Sequence, residues 1–488
     1  MIDLTIEKNR RLYERTMLMI AATALEQLYP EQKMRAEYSV SNGVLIRLPG
    51  MYLSSREIRQ IEERMRELVR EDLPIERITK SRREAISAFE KLGRADKVSL
   101  LASREEPATV ELSLLEKHLD DFYGELLPST GCCPVFALLE NTPGFVLQLP
   151  NATSKDCPAP FVCYPKHLRV FAESADWCRI MEVNNTSDIA RMMETGRMRE
   201  FIRVNEALQD RTIGDIAQSI VFSGSKIVLV AGPSSSGKTT FAARLGVHLR
   251  MLGRTFLRVS MDDYYRNRVD IAPGADGTVD LEALSALDVA LLQDQLQRLS
   301  QGEEVEIPRF NFKTQRREPK GVPTQLGPNQ ILILEGIHGL NPEISRGLDR
   351  AYRVFISALT CLNLDDHNRI RTTEVRLLRR MVRDYHFRGT SPGDTLAMWQ
   401  SVRNGEDRWI FPYQELADSV FNSALHYELP VLKNAVFNEL KALAPTPTLD
   451  RLIRVLENTP DFNPEMMDEI PPLSLLREFI GGCTVEKV

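Results

Sequence analysis

The residues with the clearest chemical purpose lie between 225 and 240, where the chain reads SKIVLVAGPSSSGKTT. Gly232-Pro233-Ser234-Ser235-Ser236-Gly237-Lys238-Thr239 fits G-x-x-x-x-G-K-[ST] at every fixed position. Such a loop turns its backbone N–H groups inward around a phosphate, and the helix start behind it adds its positive end. Lys238 is placed to reach the β- and γ-phosphates, the Thr239 hydroxyl to hold magnesium, and Thr240 continues the phosphate-facing run. These residues imply a bound nucleoside triphosphate, with ATP and Mg2+ as the expected pair.

Further groups downstream have the types that phosphoryl transfer needs. Asp262 follows the strand-like run Thr255 to Ser260, and a carboxylate there can accept a proton from an attacking hydroxyl. Glu335 closes the apolar run Gln330 to Gly336, the position from which magnesium or its water shell is held. In Glu374 to Gly389, Arg376, Arg379, Arg380 and Arg383 recur at three- or four-residue spacing and so share faces of a basic helix. Such a helix can close over phosphates, neutralising charge and excluding water. Each group has a plainer reading on its own: a solvated Asp262-Asp263 turn, a core-edge glutamate, a solvated helix. Their order behind the phosphate loop favours chemistry. His338, alone on a loop, reads as a hydrogen-bonded bystander.

To position these groups the chain offers alternating elements. Ile227 to Val230 is a buried-strand run, Phe241 to Met251 a helix, and Asp280 to Gln301 a long helical period through Leu284, Leu287, Leu291, Leu292, Leu296 and Leu299. Strand alternating with helix predicts α/β architecture, a P-loop NTPase three-layer sandwich on a parallel sheet. The N-terminal half predicts a separate α+β domain. Helices are expected over Arg11 to Leu28, Ser54 to Glu71 and Ser81 to Leu92, with strands at Ala36 to Val40, Gly43 to Leu48, Val135 to Leu139 and Phe145 to Leu149. The expected domains are 1–200, 201–433 and a helical tail at 434–488.

Composition bounds the rest. Among 488 residues, 62 Lys and Arg face 68 Asp and Glu, a mild acidity that argues against non-specific nucleic-acid binding. No apolar run approaches membrane-spanning length, and the start MIDLTIEKNRR is too charged for a signal peptide. Seven cysteines without a C-x-x-C pair read as reduced thiols in a cytoplasmic protein. His118 and His167 lie far apart without metal spacing, and His118 reads as a surface helix residue. The sequence leaves a homo-oligomer open.

Four stretches carry a family resemblance at matching spacing over about 222 to 433. They are Asp262-x-Tyr264-Tyr265-Arg266, Ile307-Pro308-x-Phe310-Asn311-Phe312-x-Thr314-x-x-Arg317, Glu335-Gly336-Ile337 and Arg379-Arg380-x-x-Arg383-Asp384-x-x-x-Arg388-Gly389. Together they resemble the uridine kinase and phosphoribulokinase family. The resemblance implies that Asp262 is the base for a sugar 5′-hydroxyl, Tyr265 an aromatic contact to a nucleoside, and Glu335 the magnesium-side acid. It places Glu282 on the ribose hydroxyls and makes Arg380, Arg383 and Arg388 lid and substrate-site arginines. Phe310-Asn311-Phe312 and Gln315 stand where uridine kinases have Tyr-Asp-Phe and a His, so the base pocket is altered. The implied activity is 5′-phosphorylation of a small-molecule nucleoside, uridine or cytidine first. A kinase for another small alcohol or sugar phosphate and a nucleotide-switched RNA-binding regulator remain alternatives. About residues 8 to 180 resemble the second accessory domain of threonyl-tRNA synthetases, shared with alanyl-tRNA synthetases. Arg15 and Met19 stand at that family's paired editing histidines, which implies that the editing chemistry is absent. The tail, with Asp468-Glu469-Ile470-Pro471-Pro472 and Leu476 to Gly482, resembles that of long bacterial forms fusing the two modules.

Overall fold

The computed structural model describes residues 2–103, 108–271, 280, 282–311, 314–348 and 350–484. Phe312, an expected pocket residue, lies outside the described residues. The chain divides into two units, each discontinuous in sequence: Met1–Met198 with Thr360–Arg371 and Lys441–Asp461, and Arg199–Leu359 with Thr372–Leu440 and Phe462–Val488. No helix among the described residues is long and apolar enough to cross a membrane.

The first unit is α+β. Helix α1 (Glu7–Leu28) is buried without a break from Met17 to Leu25, so it is surrounded by the core rather than laid on it. Around it run β1 (Arg35–Val40), β2 (Gly43–Arg47), α2 (Ser55–Glu71), β3 (Glu76–Ser81), α3 (Arg82–Lys91), α4 (Ala95–Ala102), β4 (Thr109–Leu115), β5 (His118–Asp120), β6 (Ala137–Asn141) and β7 (Gly144–Gln148). Then come α5 (Pro165–Met181) and α6 (Thr186–Glu194), and a later helix, Pro447–Glu457, belongs to the same unit. Helices α2 and α3 both start on capping boxes, Ser54 with Glu57 and Ser81 with Glu84, which satisfy otherwise orphaned N-terminal donors. One antiparallel sheet has the order β1-β2-β7-β6 and a second β3-β4-β5.

The second of these sheets was not legible in advance. Strand β3 reads ERITKS, with no fully buried position, and pairing with β4 rather than apolar alternation fixes it. His118 is also corrected: it sits on β5 and is only 5% exposed, not on a surface helix. Met19 is buried in the core, and Arg15 donates from Nε to the Glu125 carbonyl at 3.0 Å.

In the second unit α7 (Met198–Ser223) leads into β8 (Ile227–Ala231), α8 (Lys238–Met251), β9 (Thr255–Ser260) and α9 (Val289–Ser300). Two short antiparallel ribbons follow, built from β10 (Val305–Ile307), β11 (Phe310–Asn311), β12 (Arg316–Arg317) and β13 (Val322–Thr324), with β10 against β13 and β11 against β12. After them come β14 (Gln330–Glu335), β15 (Ala351–Ser357), α10 (Thr372–Phe387), α11 (Pro392–Trp409), β16 (Ser419–Asn422) and α12 (Glu428–Lys441). The main sheet is parallel throughout, ordered β16-β15-β8-β14-β9. Val228, Val230, Ile331 and Ile333 join the core on one face, and Ile227, Leu229, Leu332 and Leu334 that on the other. Burial on both faces is why β8 and β14 read as unbroken apolar runs. This is the parallel-sheet α/β fold that the phosphate-loop sequence predicts.

The helix expected from Asp280 begins only at Val289. The Asp288 carboxylate accepts from the Leu291 amide at 3.4 Å and caps the helix there. Residues ahead of it form a 3-10 turn (Leu284–Ala286), so Glu282 lies on a loop instead of a helix face.

Candidate active site

Register puts the chemistry on one sheet edge. Glu335, the last residue of β14, pairs with Val230 of β8 on one side and with Ser260 of β9 on the other. The loop after β8, the Asp262 turn after β9 and the Glu335 carboxylate therefore emerge together at the C-terminal ends of parallel strands, where ligands of such sheets bind.

The loop is held by close packing. A Cβ added at Gly232 would lie 1.9 Å from the Ile356 carbonyl oxygen, a backbone atom that cannot give way. Gly237 has φ +87° and Ser235 φ +59°, the left-handed turns that aim successive amides inward. The Lys238 ammonium donates to the Gly232 and Pro233 carbonyls at 3.0 and 3.1 Å, which sets it across the mouth of the loop. Thr239 donates its hydroxyl to Glu335 at 3.2 Å. Thr240 donates from both its amide (3.2 Å) and its hydroxyl (2.8 Å) to Glu478, a carboxylate contributed by the chain's last segment. Glu478 was not foreseen as a site residue. Its neighbours Arg477 and Phe479 carry no chemical pattern, and only folding brings it to the loop.

The basic helix α10 divides its arginines between two tasks. Arg376 and Arg379 are 1% and 0% exposed, so they do not form an open cationic face over phosphates. Arg376 pairs with Glu406 (Nη2 to Oε2 2.8 Å) and donates to the Ser234 carbonyl at 3.2 Å, while the other Glu406 oxygen accepts from the Ser234 amide at 3.1 Å. Arg379 donates to Glu428 at 2.6 Å and to the Ser423 carbonyl at 2.8 Å, and reaches the Ser235 carbonyl at 3.4 Å. Both clamp the outside of the loop. Arg380 instead donates to the Ser234 hydroxyl at 2.8 Å. Asp384 gathers Arg380, Arg383 and Arg388 at 3.3, 2.9 and 3.6 Å, fixing three guanidinium groups beside one another.

Asp262 is in the field of this group. Burial raises its pKa above the ordinary aspartate value, against the pull of Lys238, Arg388 and Arg383. Burial, followed by the charge of Asp262, pushes Glu335 up to about 7. A carboxylate and a hydroxyl side by side are hard oxygen donors of the kind magnesium takes, and a cation there would relieve the carboxylate crowding that raises Glu335. The Thr239–Glu335 pair thus fits the metal that the sequence implies.

Beside Asp262, Tyr265 faces Phe310 with ring centroids 5.7 Å apart. Burial, with Asp262 and Glu282 nearby, keeps the Tyr265 hydroxyl well above its usual pKa. Glu282 is raised by burial and opposed by Arg380, and its Cβ lies against Gly405, where an added Cβ would stand 2.6 Å away. Gln315 is exposed at φ +56°, its side-chain oxygen held by Arg268 at 3.0 Å. His338 is buried, held neutral by that burial with a pKa of about 4, and edge-on to Trp409 at 6.4 Å.

Comparison with known proteins agrees with this geometry. Residues 227–429 match the sequence model of the phosphoribulokinase / uridine kinase family. The chain is 29% identical to uridine kinase of Brevibacillus brevis over 195 residues, 40% of this chain and 83% of that one. It is equally 29% identical to uridine kinase of Lactobacillus johnsonii over 195 residues, 40% of this chain and 84% of that one. A solved structure described as a "Possible Uridine Kinase" from Bacillus stearothermophilus aligns at 18% identity and TM-score 0.30, covering 43% of this chain and 98% of that one. The C-terminal half of the chain thus carries a phosphoribulokinase / uridine kinase family domain, an ATP-dependent phosphotransferase.

Proposed function

We propose that this domain transfers the γ-phosphate of ATP to the 5′-hydroxyl of a nucleoside, with uridine or cytidine as the substrates. The observation that carries the reading is Asp262, placed at the sheet's ligand edge in the field of Lys238, Arg383 and Arg388, with the Tyr265–Phe310 aromatic pair beside it. Asp262 accepts the proton of the attacking hydroxyl; a pKa above the ordinary aspartate value makes it the better base once ionised. Lys238 and the loop amides hold the triphosphate. Arg380, Arg383 and Arg388 face the transferring group and keep water out. Thr239 and Glu335 would hold magnesium, which would supply positive charge to offset that of the phosphates. Tyr265 and Phe310 stack on the base, and Glu282 holds ribose hydroxyls. Phe310 in place of a tyrosine, and the exposed Gln315 in place of a histidine, leave the base less firmly specified.

On the sequence resemblance, we read the first unit as a synthetase-accessory relative without editing chemistry; the buried Met19 and the engaged Arg15 support that loss.

The test is ATP consumption across nucleosides and sugar phosphates with product identification by mass spectrometry. Uridine or cytidine 5′-monophosphate is the expected product. Activity confined to a phosphorylated sugar would keep the transfer chemistry and overturn the nucleoside reading.

Glu478 adds a prediction at the same loop. It sets a carboxylate on the Thr240 amide and hydroxyl, within the first turn of α8, where an anion is favoured. Glu478→Gln removes a like charge from the phosphate site, and the ATP Kd measured by calorimetry should fall about 2- to 5-fold. A weaker Kd would instead make the carboxylate a support of the loop.

A further inference from the structure

The first unit holds a buried cluster with no part in phosphoryl transfer. His118 and Asp120 come from β5, and His367 from the 360–371 segment that returns to this unit. All three are at least nine-tenths buried, and one ligand atom from each lies within 4.8 Å of the others. We infer that His118, Asp120 and His367 form a binding site for a borderline divalent cation of the zinc type.

The donor geometry argues for it. The Nδ1 of His118 contacts the Glu26 carboxylate, which leaves Nε2 aimed at Asp120 Oδ2, 3.4 Å away. That Nε2 is buried and has no hydrogen-bond partner. The Nδ1 of His367 contacts the same Asp120 oxygen from another side. Bonds of about 2.0–2.1 Å in a tetrahedral zinc site separate ligand atoms by roughly 3.4 Å, the spacing His118 and Asp120 already have. A carboxylate on the far nitrogen of a ligating histidine fixes its tautomer and orientation, and Glu26 fills that role.

The second oxygen of Asp120 is fixed independently. It accepts from Lys97 at 2.8 Å, and Lys97 is pinned by Asp365 at 3.1 Å and by the Asp121 carbonyl at 2.7 Å. Asp365 in turn accepts from the amides of His367 and Asn368, both at 2.9 Å, which sets the loop that presents His367. Two imidazoles and one carboxylate suit zinc or cobalt better than magnesium or calcium. Three protein ligands leave a fourth position for water or a small ligand.

Nearby cations oppose the site without cancelling it. Arg94 lies 3.2 Å from His367 Nδ1, and Lys97 lies 2.8 Å from Asp120. Against Lys97, Arg94 and Arg35 stand the carboxylates of Glu26, Asp96, Asp120, Asp365 and Asp366, so a dication reduces the local charge imbalance. The 360–371 segment continues directly into α10 at Thr372, so the ion would anchor the chain just ahead of the helix that carries Arg380.

The test uses the full chain, stripped by a chelator and titrated with Zn2+ and separately with Co2+. The expected result is one equivalent bound, a Co2+ spectrum with d–d bands and no thiolate charge transfer, and a rise in melting temperature on Zn2+ addition. His118→Gln and His367→Gln should abolish binding. Glu26→Gln, at a partly exposed carboxylate, keeps the test independent of folding in the buried variants and should weaken binding about 10- to 100-fold. No stoichiometric binding by the wild type, thiolate bands with Co2+, or binding unchanged in all three variants would overturn the site.

Discussion

Asp262→Asn is expected to lower kcat by about 10²- to 10⁴-fold while leaving ATP affinity within about 2-fold. The substitution keeps size and polarity but removes the carboxylate proposed to accept the hydroxyl proton. It makes no hydrogen bond to the phosphate loop, so nucleotide binding has no reason to change. The pH profile gives a second reading. Asp262 must be ionised to act, and burial raises its pKa, so kcat/KM for the acceptor should fall toward acid with an apparent pKa above the ordinary aspartate range. That limb should vanish in the Asn variant. Because the charge of Asp262 also raises Glu335, the limb reports coupled carboxylates rather than one isolated residue. An unchanged limb in the variant would assign the titration, and the base, elsewhere.

Arg379→Met should destabilise the second unit by about 3–5 kcal/mol, read as a lower denaturation midpoint. Arg379 is fully buried on Glu428, Ser423 and the Ser235 carbonyl. Losing it leaves Glu428, itself 2% exposed, without its counter-charge. One residue along the same helix, Arg380→Met should do the opposite: little change in stability, and a loss of about 10²- to 10³-fold in kcat. Arg380 reaches the loop through the Ser234 hydroxyl, and its remaining partner Asp384 keeps Arg383 and Arg388. If both variants lost only activity, the buried pairs would carry less of the fold than their geometry indicates.

That contrast also marks what could be read before folding. The phosphate loop was legible because a fixed spacing of Gly, Lys and Thr answers a fixed ligand shape, and β8 and β14 because burial on both faces leaves an unbroken apolar run. The positions of Asp262 and Glu335 were legible because one closely follows a strand and the other ends one, and parallel register carries strand ends to one edge. The arginines of α10 were visible as a set but not sorted. Helical spacing shows which residues share a face, not which face meets Glu406 and Glu428. Glu478 and His367 were illegible as site residues for a common reason. Each reaches its cluster from a distant segment, and no local pattern encodes such a return. The helix start at Val289 turned on one cap, Asp288, inside a longer run of leucines with the right period.

Direct transfer to a nucleoside 5′-hydroxyl with Asp262 as base is tested by following the label of [γ-32P]ATP in a single turnover with uridine, in the wild type and in Asp262→Asn at matched nucleotide occupancy. Label is expected in uridine 5′-monophosphate from the wild type, with a transfer rate at least about 100-fold lower in the variant. Label appearing as inorganic phosphate whether or not uridine is present, or equal transfer rates in the two proteins, would contradict it.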